Sequence, residues 1–565
     1  MATYYVRTDG NNGNSGLVNS SGGAWATIAY ATSNATTSGD IIRLVAGTHN
    51  VSAQCDLRVG VDLIGDDKTT TFVSGTQSGG TWTACLALDS ADGTNGDQVI
   101  SNITFRGNYV SDANFKTWVA IWVTGRSNVH IYECIFENWK QSACIFAGIG
   151  TNDVGTDLGW TLATGNKFYN NTVRNSAAMY VGTGQGALMI GYQHGMEIYN
   201  NNISQTQRAN FNNGWPLKYQ NDGWLRGVKI YDNILTKLPY GGSYPGENGN
   251  WDFAIEFFNV QGLEIYGNTI SGAVDLNYTR KTSPGGASYS FSTWIHHNSL
   301  IHATQGSNVE GAIILEYRAE SAIIENNIIS NKTYGITFNT RGYQAYGGDN
   351  LPDVGGTPLG GYSYIVDCAI RNNLFYGLYN GSGIGNRFAI GVISESTNDP
   401  QINNMKIYNN TIVADDTDPI STAIDFSSQE NGTASGIYIR NNIVMDIDGS
   451  WVRGTVGGAG DTSITGCIIT HNDIYQCGNS NLPEWPAGNP LAYTYSNNVS
   501  VSPLFVGGTD YTLQSGSTLI NAGVDVGIAY SGAAPDIGYF EYVSGGGGGG
   551  QSTSVSMQRR FIILS

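Results

Sequence analysis

Hydrophobic and polar positions alternate along most of this chain in short runs, with Ile, Val, Leu and Phe at every second residue and Gly, Asn or Ser closing each run. Alternation with period two predicts half-buried β-strands of about four to six residues. No run shows a convincing 3.6-residue apolar period, which excludes a helical solenoid. The runs are also mutually similar. KFYNNTV, MEIYNNNI, VKIYDNIL, LEIYGNTI, TWIHHNSL, AIIENNII, CAIRNNLF, MKIYNNTI, IYIRNNIV and CIITHNDI place Asn171, Asn201, Asn233, Asn268, Asn298, Asn327, Asn373, Asn410, Asn442 and Asn472 in register, 29 to 46 residues apart. Self-similarity at such a period means stacked structural units. An asparagine at the same turn of every unit can bond to its neighbours above and below, so that buried amides satisfy one another. The prediction is an all-β, single-stranded parallel β-helix with an asparagine ladder and loop insertions. In that setting NNT and NNIS are ladder turns that only coincide with a glycosylation pattern, and Cys134 in HIYECIF takes a ladder position as a small buried residue.

Composition supports this reading. The 565 residues include 76 Gly, with 40% apolar and only 13% charged residues, as many tight turns around one continuous core require. A solenoid grows along one axis, so a single long domain is expected. The boundaries read as a cap with first coils over 1–98, the β-helix over 99–500, a closing module over 501–543, a Gly linker over 544–550 and a docking peptide over 551–565. MATYYV enters the first strand directly, and no secretion leader is read there. A net charge of −18 argues against nucleic acid and anionic membranes as partners. The seven cysteines are scattered without CxxC spacing, so no zinc site is expected.

Together the repeats, the opening YYVRTDGNNGNSG with AWATIAYA, and the closing SPLF, YTLQSGSTLINAG and PDIGYFEY resemble the right-handed parallel β-helix group that includes pectate lyases, chondroitinase B-like lyases and phage tailspikes. The resemblance covers about residues 3 to 542.

Aligning the strand before each Asn turn gives ALMIGY, PLKYQN, AIEFFN, AVDLNY, ILEYRA, ITFNTR, AIGVIS and AIDFSS. Leu217, Ile255, Val274, Leu315, Ile336 and Ile424 then point inward, and an outward column reads Met189, Lys218, Glu256, Asp275, Glu316, Thr337, Gly391 and Asp425. A second outward column reads Gln220, Phe258, Asn277, Arg318 and Asn339. Coils lie about 4.8 Å apart, so Glu256 and Asp275 are expected roughly 5 Å apart and Glu256 and Glu316 about 10 Å apart. Three stacked carboxylates cannot all ionise cheaply, and a protonated acid beside an ionised base is what glycoside hydrolysis uses. The nearer pair would suit retention of configuration and the outer pair inversion, and both remain open.

The candidate catalytic residues are therefore Glu256, Asp275, Glu316 and Lys218. Lys218 would keep its neighbouring carboxylate ionised, and Arg318 would bind a substrate carboxylate or developing negative charge. Asn277, Asn339 and Gln220 are further substrate-binding candidates. Loop insertions over Leu238–Asp252, Thr279–Trp294 and Arg341–Tyr364 add Trp251, Asp252 and Tyr244, together with Tyr240, Tyr289, Tyr343 and Tyr346, and turns nearby add Trp215 and Trp224. Two plainer readings stand beside this one. Charges on an outer face can form only a solvated ladder, and clustered carboxylates can hold calcium.

In the resembled group the active site lies on the outer face of the same sheet, which is what the resemblance implies for Lys218, Glu256, Asp275 and Glu316. Chondroitinase B-like and alginate lyases place Lys on one coil and Arg on the next, whereas the coil after Lys218 carries Glu256. Hydrolysis is thus favoured over elimination. The expected function is a virion-associated tail spike or fibre that binds, and by this site cleaves, a bacterial surface polysaccharide. It would need no cofactor, with Ca2+ as the alternative. By analogy with tailspikes it would be a homotrimer attached to other virion proteins through the C-terminal peptide. The rival expectations are a secreted or surface polysaccharide lyase or hydrolase of cellular origin, and a virion component that binds without catalysis.

Overall fold

The computed structural model describes residues 1–77, 83–107, 119–148, 162–177, 186–205, 214–220, 223–237, 253–281, 288–301, 311–339, 364–380, 387–393, 401–426, 433–454, 463–478 and 493–543. Its fold is the expected right-handed parallel β-helix, in which short strands pair in parallel with strands one coil away. The chain divides into two compact units, Met1–Glu264 and Ile265–Ser565.

In Met1–Glu264, Phe168, Ile198 and Ile230 stack in register on successive coils, as do Val173, Ile203 and Leu235. In Ile265–Ser565 the row Ile270, Leu300, Ile329, Phe375, Ile412, Val444 and Ile474 continues the same principle. All are buried, so each row is a strip of core. Parallel in-register pairing places like on like, which is why one apolar position per strand recurs down the sequence.

The paired asparagines have two separate tasks. The first of each pair turns the chain: Asn170, Asn200, Asp232, His297, Asn326, Asn372, Asn409, Asn441 and His471 all take φ between 50° and 57°. Asn, Asp and His enter this left-handed region most readily among residues with side chains, and in LEIYGNTI Gly267 serves instead at φ 66°. The second asparagine builds the ladder. Asn171 N–H donates to Asn201 Oδ1 at 3.0 Å and Asn201 N–H to Asn233 Oδ1 at 3.0 Å. In the other unit the ladder runs through Asn268, Asn298, Asn327, Asn373, Asn410, Asn442 and Asn472 to Asn498. Cys134 occupies the expected rung, its N–H donating to Asn171 Oδ1 at 2.9 Å, and burial pushes its thiol up to about 12. None of the seven cysteines is in a disulfide.

One short α-helix, Ile28–Asn34, lies within AWATIAYA, with Thr27 as N-cap accepting from Tyr30 N–H at 3.2 Å. Its buried Ile28, Ala31 and Thr32 have helical spacing, but seven residues are too few to register as a period. At the other end, Leu513, Leu519 and Ile537 pack on Ile443 and tie the C-terminal segment to the coils.

Candidate functional site

In Met1–Glu264 the strands Trp215–Tyr219 and Phe253–Gln261 pair with Leu217 opposite Ile255 and Lys218 opposite Glu256, as the alignment anticipates. Leu217 and Ile255 enter the core, and Lys218 and Glu256 project to the other face and form an ion pair. The Lys218 ammonium lies 3.9 Å from the Trp215 ring centre and 4.2 Å from that of Tyr219. Trp215 in turn stacks on Phe253 at 6.0 Å. A lysine held between a carboxylate and two ring faces is fixed and partly desolvated.

In Ile265–Ser565 the strands Ala273–Thr279, Ile313–Glu320 and Tyr334–Asn339 carry the remaining carboxylates. Their register differs from the alignment above. Asp275 lies opposite Ile314, and Glu316 lies opposite Asn277 on one side and Asn339 on the other. The outward row is thus Asp275, Ile314, Thr337, Gly391, Asp425 and Arg453, with Asn277, Glu316, Asn339 and Ile393 two residues along. Asp275 and Glu316 are diagonal neighbours, not a stacked pair. The reason is the pattern itself: Ile313 and Leu315 both point inward, so a two-residue shift leaves every side chain on its face and alternation cannot detect it. Inward assignments therefore hold despite the shift, and Val274, Leu315, Ile336 and Ile424 are all buried.

The diagonal arrangement is hydrogen-bonded. Asn277 Nδ2 donates to Asp275 Oδ2 at 3.1 Å, and Asn339 Nδ2 donates to Glu316 Oε1 at 3.0 Å. Arg318 is not in the Asn277 row. It lies opposite Tyr364, and its guanidinium is engaged by Glu320. Asp425 faces Arg453 at 4.0 Å.

Burial departs most from expectation. Lys218, Gln220, Glu256, Asp275, Asn277, Glu316, Arg318 and Asn339 are each less than a tenth exposed, although they point away from the core. This removes the solvated-ladder reading, because these charges are not in water. The aromatic platforms also change. Trp215 is buried against Lys218 and Phe253, and Trp224 belongs to a buried cluster with Leu162 and Tyr192, so neither ring presents an open face. Tyr289 is half-buried, its N–H donating to Lys281 O at 3.0 Å. Tyr240, Tyr244, Trp251, Asp252, Tyr343 and Tyr346 lie outside the described residues, as do the Gly linker and the docking peptide. Among the described residues no group of three His, Cys, Asp or Glu side chains is placed to hold a metal ion.

No family model and no curated protein matches the chain. Solved structures to which it is similar include a PL6 family polysaccharide lyase from Pseudopedobacter saltans, 12% identical, with 84% of this chain and 92% of that one covered and a TM-score of 0.46. Another is the Agl-KA catalytic domain, 13% identical, with 69% and 62% covered and a TM-score of 0.46. A third is a mannuronic acid specific family 6 lyase from human gut microbiota, 12% identical, with 85% and 87% covered and a TM-score of 0.41.

Proposed function

We propose that the chain binds a polysaccharide and hydrolyses it with inversion of configuration, using Asp275 and Glu316 as the carboxylate pair. The observation that carries this is their diagonal placement on one buried, outward-pointing face, each held by an asparagine amide. Diagonal neighbours on adjacent strands have Cα atoms about 7–8 Å apart, and side chains projecting side by side from them would keep a similar spacing. Inverting glycosidases place their carboxyl groups about 6.5–9.5 Å apart, leaving room for a water, whereas retaining enzymes need about 5–5.5 Å. One carboxyl would protonate the glycosidic oxygen while the other takes a proton from water attacking the opposite face of the sugar. Asn277 and Asn339 position the two groups by fixing one oxygen of each.

The test is release of reducing ends from bacterial surface polysaccharides, with the product anomer read by NMR immediately after cleavage. Asp275→Asn and Glu316→Gln should each abolish release while leaving the fold intact by circular dichroism. Full activity in both variants, retention of configuration, or an unsaturated product would each defeat the assignment. Binding of the glycan without any product would leave a receptor-binding protein instead. A place on a virion as a trimeric tail spike or fibre belongs to the same proposal. Light scattering tests the trimer, and tail or baseplate genes beside the coding sequence would support the location.

A further inference from the structure

In Ile265–Ser565 the turn residues form a second polar row on the surface: His297, Asn326, Asn372, Asn409 and Asn441, one per coil. The C-terminal segment crosses part of it. Asn441 Nδ2 donates to Val524 O at 2.8 Å while its Oδ1 accepts from Val524 N–H at 2.9 Å, and Asn409 Nδ2 donates to Asp536 O at 3.2 Å. Both asparagines are buried there. On the three coils nearer Ile265 the row emerges. His297, Asn326 and Asn372 are half-buried, and among the described residues the side-chain amides of Asn326 and Asn372 make no hydrogen bond.

Across a cleft of about 290 Å³ these three face Tyr530, Phe540 and Glu541. That volume is at the lower edge of the range, about 300–1,000 Å³, in which small-ligand sites fall. The Glu541 carboxylate is fixed by the N–H groups of Asp536 at 3.1 Å and Ser531 at 3.2 Å, and Tyr530 is 42% exposed. Burial lowers the pKa of His297, and among the described residues the cleft lining includes no Lys or Arg.

We propose that this cleft binds a neutral oligosaccharide, as a site separate from the Asp275 and Glu316 face. Its planar amides repeat at the coil spacing of about 4.8 Å and can each donate to and accept from hydroxyl groups. Tyr530 and Phe540 supply apolar faces against which the C–H surface of a sugar ring packs. Glu541 accepts from hydroxyls, and together with the net charge of −18 it opposes an acidic glycan. A peptide strand fits less well. Where the chain's own C-terminal segment covers this row, it is anchored by the apolar cluster of Ile443, Leu513, Leu519 and Ile537, and among the described residues the open cleft has only Ala529 and Val543 as aliphatic lining.

Isothermal titration calorimetry of the full chain with cellotetraose, xylotetraose, mannotetraose and tetragalacturonate tests this. At least one neutral tetrasaccharide should bind, at least about tenfold more weakly to Tyr530→Ala and to the Asn326→Gly, Asn372→Gly double variant. Glycine keeps the left-handed turn, so folding is preserved. Binding should be unchanged in Asp275→Asn, which separates this cleft from the proposed catalytic face. Absence of neutral binding, preference for tetragalacturonate, or affinity unmoved by the cleft variants and lost in Asp275→Asn would overturn it.

Discussion

The Lys218–Glu256 pair allows a quantitative test of whether the outward face is a desolvated site or an ordinary surface. Both side chains are about a tenth exposed or less, and the ammonium also sits over the Trp215 and Tyr219 rings. Removing one member of a buried ion pair costs about 3–5 kcal/mol, because the other is left charged without compensation. The two deletions should differ. Lys218→Met strands Glu256 and should cost about 4 kcal/mol. Glu256→Gln leaves the lysine on two ring faces, each worth about 0.5–2 kcal/mol, and should cost about 2–3 kcal/mol. The double variant removes both desolvation penalties and should be milder than the two losses summed, giving a coupling of about 3 kcal/mol. Urea unfolding followed by tryptophan fluorescence and far-UV circular dichroism supplies the cycle, with coincident transitions as the condition for assigning free energies. Single variants costing about 1 kcal/mol or less, the range of exposed pairs, would refute the claim that this face is desolvated.

Other consequences concern the scaffold. Asn327 Nδ2 donates to Ile295 O, Glu325 O and Asn373 Oδ1, and its Oδ1 accepts from Asn298. Asn327→Ala should therefore cost about 4 kcal/mol by leaving several buried groups unsatisfied, while Asn498→Ala at the half-buried last rung should cost about 1 kcal/mol; equal losses in thermal unfolding would contradict a cooperative ladder. Burial raises the Asp473 carboxyl from 3.8 to about 7 although Val501 N–H donates to it at 2.9 Å. The folded state thus prefers the protonated acid, and its stabilisation is complete below about pH 4 and lost as pH rises towards 7. Asp473→Asn should flatten that slope and raise stability at neutral pH by at most about 4 kcal/mol, and a denaturation profile unchanged between pH 4 and 7 would count against it.

What could be read from residues alone follows from which periodicities are unique. The coil repeat was legible because the ladder asparagine has one chemically distinct place per coil, and Asn171, Asn201 and Asn233 bond as the spacing implied. The asparagine before it was legible too, had its recurrence as Asn, Asp, Gly or His been read as a demand for positive φ. Strand register was legible only modulo two. Ile313 and Leu315 are equivalent to any rule based on alternation, and only the hydrogen-bonded pairing of Asp275 with Ile314 separates them. The C-terminal crossing of Asn409 and Asn441 left no local signal, because contacts such as Asn409 to Asp536 span 127 residues and depend on the coils being already stacked. Of these, the register has the largest chemical consequence. Stacked on neighbouring coils, Asp275 and Glu316 would lie about 5 Å apart and suit a covalent intermediate. Displaced by two residues, their Cα atoms are expected about 7–8 Å apart, and in the proposed mechanism that wider spacing would leave room for the attacking water. A shift that is invisible to the hydrophobic pattern thus changes the stereochemical outcome the face predicts, and the anomer of the first product measures it directly.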